Sequence, residues 1–381
     1  MTPYADFLYF GVSLYALLPA ALLGWLKRFT RIWLVFATLG MLAVQYWQGG
    51  SGLENKFWLM LGYATLQWLN ARLFLKLRAQ KVRRPAFYFA LLVALLPLLA
   101  GKFFPGDTLV FVGLSYITFR SLDVLFGIQD GGIQALPLAQ YSQFLLFFAT
   151  ISSGPIDRFQ RFGQDWRRER TSAEWLRDID GGIQRIFTGF LYKFILAALI
   201  KQYWLDAVSG AELGQTIAYM YAYTFYLFFD FAGYSAFAVG FAYFFGIHPP
   251  ENFRRPFAAR DLRDFWNRWH ISLSFWFRDF VYNRFVFASV KGKWFKNRFT
   301  AAYLGYFLSM GLMGVWHGLA AHYIVYGLYH GALLFLTDWL NRRYRNNRLL
   351  NSDSLFWRGA SIFLTFHLVS FGFLIFSGRL F

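Results

Sequence analysis

The chain has 381 residues, of which 57% are apolar and only 15% charged, where a soluble domain carries about a quarter charged residues. Aromatic residues reach 23%, with 48 Phe, and the formal charge is +18. That balance excludes a soluble enzyme, a disordered chain and a nucleic-acid-binding domain. At roughly 20 residues per crossing it leaves room for about a dozen membrane helices.

The first apolar run, Phe7–Leu26, is followed by Lys27, Arg28 and Arg31 and lacks a small-residue cleavage site. It reads as a retained helix whose N-terminus lies outside. Further apolar runs cover 32–48, 56–75, 86–104, 108–128, 138–153, 183–205, 214–230, 232–247, 301–317, 320–340 and 357–377. Basic clusters separate them: Lys76, Arg78, Lys81, Arg83 and Arg84, then Arg158–Arg170, Lys291–Arg298 and Arg342–Arg348. Lys and Arg accumulate in cytoplasmic loops, so 76–84, 158–170 and 252–264 are predicted inside. An acidic partner or anionic head groups would also use this charge.

Strict alternation fails once. Either 108–128, which carries Arg120 and Asp123, or the short 138–153 does not cross, since charges are expensive in lipid. About eleven true crossings remain, in a single membrane domain over 1–381. No period of 20–50 residues repeats, which weakens a secondary-transporter reading. The chain has no Cys, so a disulfide, a Cys-ligated metal and a cysteinyl acyl-enzyme are all excluded.

Two segments carry candidate chemistry. In 252–287, residues 266, 269, 270, 273, 276, 277 and 280 form one stripe at helical spacing, with Arg263, Asn267, Ser274 and Arg278 opposite. An amphipathic or re-entrant helix at the cytoplasmic boundary fits this pattern. His270 sits on its aromatic face, either as a packed core histidine or as a site residue. In 310–331, His317, His322 and His330 accompany Gly314 and Gly318, with Gly311 extending the small face. Small residues let membrane helices approach. They do not account for an imidazole in an apolar run, which is the side chain suited to moving protons near neutral pH.

Metal binding is disfavoured: spacings of five and eight do not place the three histidines on one helical face, and no H-E-x-x-H occurs. Gly233–Phe237 lacks the second glycine of a serine nucleophile elbow. Asp230 is a further buried-charge candidate, expected either to pair with an arginine or to line a polar passage.

Residues 230–257, 263–285 (RDFWNRWHISLSFWFRDFVYNRF) and 313–331 (MGVWHGLAAHYIVYGLYHG), with 3–24 and 152–162, resemble the membrane-bound O-acyltransferase superfamily. The wording favours its teichoic acid D-alanylating branch. Alginate-type O-acetyltransferases share only W-H-I-S-L-S and W-H-G, and they remain an alternative, as does a transporter or flippase.

The resemblance implies an all-α polytopic membrane fold, with re-entrant or interfacial helices around a central tunnel. It implies His317 as catalytic base and His270 as the second motif histidine, orienting the donor or shaping the tunnel. Trp316, Asn267, Trp269, Ser272, Ser274, Asp230, His322 and His330 are tunnel or substrate candidates. No cofactor or metal is expected to be resident. D-Alanine would arrive as a thioester on the phosphopantetheine arm of a small acidic D-alanyl carrier protein. It would end on a hydroxyl of lipoteichoic or teichoic acid, with a small accessory membrane peptide as partner, in the cell membrane.

Overall fold

The computed structural model describes residues 2–28, 30–47, 52–80, 84–104, 110–344 and 354–381. Lys81, Arg83 and 345–348 of the predicted basic clusters, and the first two residues of the run 108–128, lie outside them. Among the described residues every regular element is helical. Six helical stretches are long and apolar enough to cross a membrane: Phe7–Trp25, Arg84–Phe103, Ser172–Leu205, Leu213–Tyr243, Phe299–His317 and Leu355–Phe376. Their outward side chains include Phe7, Tyr15, Phe363 and Leu355, all more than half exposed. Large apolar groups facing out along whole helices suit a lipid surround.

Two predicted boundaries need correction. The runs 214–230 and 232–247 are one 31-residue helix, Leu213–Tyr243, because Phe231 and Ala232 are ordinary helix interior and no turn residue interrupts them. The run 138–153 yields only a nine-residue helix, Leu138–Leu146, far short of the ~20 residues a crossing needs. The helix Leu114–Asp130, from the run 108–128, is not among the six stretches either.

The chain forms two compact units, Met1–Phe190 with Gly233–Pro250, and Leu191–Ala232 with Glu251–Phe381. In the first, Asp6 caps Phe7–Trp25 by accepting the Tyr9 N–H at 2.7 Å. The helix Leu114–Asp130 starts after Gly113 and stops before Gly131, both at positive φ, which favours glycine. Two charges on this helix, Arg120 and Asp123, are bonded within the protein. Fully buried Arg120 donates to the carbonyls of Phe144, Leu145 and Thr150 at 2.9–3.0 Å, so it caps the otherwise orphaned C-terminus of Leu138–Leu146. Asp123 accepts the Phe159 N–H at 2.9 Å and an Arg158 nitrogen at 3.1 Å, capping the helix Phe159–Arg167.

The second unit is built on a helical hairpin, Arg298–His317 and Ala321–Arg343, with Leu355–Phe376 against the latter. The hairpin closes through glycine. A Cβ on Gly314 would strike the Tyr323 carbonyl, and one on Gly327 the Met310 carbonyl. Gly311, read as part of the same small face, has no atom nearer than Leu328 at 3.9 Å. Gly318 serves instead as the cap that ends the helix at His317, its N–H donating to the Gly314 carbonyl at 3.2 Å.

Candidate active site

The 252–287 stripe is not one helix. It folds as Leu262–Trp266, a break at 267–270, Ile271–Phe277, a π-helical turn Arg278–Tyr282 and Asn283–Lys291. His270 sits at the break with φ +43°, a left-handed conformation uncommon for a non-glycine residue. Residues 252–254 hold it there. The Arg254 N–H donates to the Arg268 carbonyl at 2.9 Å and the Ile271 N–H to the Asn252 carbonyl at 3.0 Å. The Ser272 hydroxyl donates to Asn252 Oδ1 at 2.6 Å. Strain of this kind persists where surrounding structure over-determines it, often at functional sites.

This break turns His270 inward, 5% exposed. Its ring meets Phe231 edge-on at 4.7 Å. Burial, and secondarily the neighbouring His317, push the imidazole down to about 3, so it is neutral at pH 7. His270 Nε2 is buried with no hydrogen-bond partner among the described residues, which marks it for a ligand or a water. His317, the last residue of its helix, lies against Trp316 at 4.5 Å and Phe376 at 4.9 Å. His270 and His317 line one cavity of about 60 Å³, with Leu227, Phe231, Tyr326 and Phe376 among its walls.

Trp266 and Met313 also line that cavity, and both belong to the wall of a second, of about 450 Å³. Asn267 and Ser274 face the larger cavity, with Arg263, Arg278 and Arg342. Ser274 also donates to the Trp269 carbonyl at 3.1 Å.

The predicted site residues therefore divide. His270, His317 and Trp269 are brought together at the small cavity, with Trp316 against His317. Asn267 and Ser274 line the larger one. Ser272 holds the backbone through Asn252. His330 is fully buried between Trp266 at 5.1 Å and Tyr326 at 4.7 Å, behind the wall rather than in it. His322 packs on Tyr323 at 4.0 Å, near Phe381, and lines neither cavity. Asp230 pairs with Lys193, not with an arginine; Lys193 reaches it from the π-helical turn Leu191–Ala197. Phe231, Trp266, Met313, Tyr326 and Phe376 also line the walls and are not singled out as site residues in the sequence. Among the described residues no group of His, Asp and Glu is arranged to hold a metal ion.

Two imidazoles lining one small cavity in a helical membrane protein suit proton transfer to or from a small reacting group. The arrangement fits a membrane-embedded acyl-transfer enzyme.

The chain belongs to the membrane-bound O-acyltransferase family, whose model matches residues 20–377. It is 41% identical to the teichoic acid D-alanyltransferase of Bacillus subtilis strain 168, across 100% of this chain and 98% of the relative. It is 39% identical to the teichoic acid D-alanyltransferase of Lacticaseibacillus rhamnosus, again across 100% of this chain and 98% of that protein. A probable alginate O-acetylase of Pseudomonas syringae pv. tomato is 30% identical, over 70% of this chain and 48% of the relative.

Proposed function

We propose that the protein transfers D-alanine from a carrier-protein thioester to hydroxyls of lipoteichoic or teichoic acid. The cavity shared by His270 and His317, whose Trp266 and Met313 also wall a larger cavity, carries this reading. Full-length similarity to teichoic acid D-alanyltransferases supports the acyl group and the acceptor. O-acetylation of an exported polysaccharide is less favoured, because the alginate relatives match only part of the chain.

His317 takes the proton of the acceptor hydroxyl as its oxygen attacks the thioester carbonyl. A C–O bond forms, the C–S bond breaks, and the proton passes from the imidazolium to the departing thiolate. Such a base contributes ~10²–10⁴-fold. His270, neutral and with a free ring nitrogen, positions the donor end. No resident cofactor takes part; the phosphopantetheine arm belongs to the carrier. The absence of Cys rules out a thiolate relay through this chain.

The protein lies in the cell membrane with its N-terminus outside. Its basic residues at 76–84, 158–170 and 252–264 face the cytoplasm and attract the acidic carrier, while a small accessory membrane peptide and the acceptor are reached from other sides. The test is transfer of labelled D-alanine from aminoacylated carrier by purified protein in vesicles, beside an acetyl donor. D-Alanyl transfer well above acetyl transfer supports the reading, and the reverse preference contradicts it.

A further inference from the structure

The first compact unit holds a cavity of its own, of about 380 Å³, a size usual for small-molecule sites. It shares no residue with the two cavities described above. Its polar wall is made of four glutamines, Gln134, Gln140, Gln160 and Gln164, and one cation, Arg167. No Asp or Glu lines it. The acids of the neighbouring segments are engaged elsewhere. Asp123 is bound by Arg158 and the Phe159 N–H, Asp157 by Arg161, and Asp165 by Arg161 and Arg170. The cavity wall therefore carries a net positive charge.

Arg167 is met by an amide instead of a carboxylate: its Nη1 donates to Gln140 Oε1 at 3.0 Å. Gln140 is only 4% exposed. Among the described residues its side chain makes this one hydrogen bond, so its amide nitrogen is left to donate into the cavity it lines. Gly163 makes room for the pair. A Cβ there would stand 2.6 Å from Gln140 Nε2 and 3.1 Å from Arg167 Nη1. The helix Leu138–Leu146 starts at the same wall. Its N-cap, Pro137, lines the cavity, and no side chain caps its first turn. The N–H groups of that turn are open to an outside acceptor, and a helix N-terminus favours an anion. Gln160 Nε2 donates to the Gly132 carbonyl at 2.8 Å, which leaves its oxygen free to accept. Glutamine amides both donate and accept, as hydroxyl groups require.

We propose that this cavity binds a phosphorylated polyol. Arg167, Gln140 Nε2 and the first turn of Leu138–Leu146 take the phosphate oxygens. The amides of Gln134, Gln160 and Gln164 take the hydroxyls. A tetrahedral phosphate has oxygens for donors from both helices, whereas one guanidinium fork already fills the flat edge of a carboxylate. Free glycerol phosphate and the head group of phosphatidylglycerol share this chemistry. The site is independent of the acyl-transfer reading.

The test uses the full chain in nanodiscs. In phosphatidylcholine discs, saturation-transfer NMR titrations with sn-glycerol 3-phosphate, inorganic phosphate and glycerol form the first arm. In mixed phosphatidylcholine–phosphatidylglycerol discs, native mass spectrometry of retained lipid forms the second. Glycerol phosphate should bind more tightly than either fragment, or phosphatidylglycerol should be retained over phosphatidylcholine. The first response alone assigns a free ligand, and the second alone a head group. Arg167→Gln should weaken the responding arm about tenfold or more, and Arg167→Lys should recover part of it. Gln140→Leu should weaken it severalfold; if that variant folds poorly, Gln164→Ala, at an exposed lining position, takes its place. Arg168→Gln removes a charge from the next residue, which does not line the cavity, and should change binding less than about twofold. No response in either arm would overturn the proposal. So would equal losses from Arg167→Gln and Arg168→Gln, which would reduce the effect to surface charge. Inorganic phosphate binding as tightly as glycerol phosphate, with no preference for phosphatidylglycerol, would overturn the polyol assignment.

Discussion

Gly314 and Gly327 stand face to face in the hairpin that ends at His317, with the Cβ built on Gly314 only 3.3 Å from the Gly327 Cα. The placement of the His317 imidazole, the proposed base, depends on this approach. Gly314→Ala should force the helices apart and cost about 1–3 kcal/mol, as over-packing does, with a matching fall in transfer. Gly311→Ala, whose Cβ would meet only Leu328 at an ordinary 3.9 Å, should be neutral or slightly stabilising. Thermal unfolding in detergent and turnover, measured on both, check the pair. Equal effects would contradict the packing account.

His270→Ala should damage the reaction through the donor. Its ring is buried against Phe231, and its left-handed backbone is held by Asn252 and Ser272. The apparent KM for aminoacylated carrier should rise more than kcat falls. Phe231→Ala should do the same to a smaller degree. A pure kcat defect with unchanged KM would assign His270 to the chemical step instead.

The segments proposed to face the cytoplasm can be mapped on the natural cysteine-free background. Cysteines at Ala79 and Gln164, both exposed, should resist an impermeant thiol reagent added outside and react once the membrane is opened. Ala259 in the third basic segment is only 1% exposed, so Arg260, which is exposed, is the better probe there. Ready labelling of two of the three from outside would contradict the topology.

Carrier binding should weaken as salt rises, since attraction between exposed basic residues and an acidic partner is screened over about 10 Å at 0.1 M. Affinity measured from low to moderately high ionic strength checks this. A flat profile would remove the electrostatic contribution.

Much of the site was legible in the residues. The W-N-R-W-H and M-G-V-W-H-G wording singled out His270 and His317, and hydropathy marked most of the long helices. What stayed hidden depends on contacts between distant residues. The break at 267–270 follows from pairing with 252–254, which periodicity within 252–287 cannot report. Asp230 offers a carboxylate, but only a π-helical turn some forty positions earlier decides that its partner is Lys193. Likewise Arg263 and Arg342 look like cytoplasmic loop charges until Asp338 brings them to one cavity. His322 has the look of its neighbours His317 and His330, yet lies against Tyr323 and Phe381, outside both cavities.

The account turns on His317 as the base. The most direct measurement is transfer of labelled D-alanine from aminoacylated carrier by purified, monodisperse His317→Ala and His317→Gln proteins beside wild type. Both variants should fall by roughly two to four orders of magnitude while binding carrier normally, because neither side chain can take the hydroxyl proton. Near-normal turnover by folded His317→Ala would contradict the assignment.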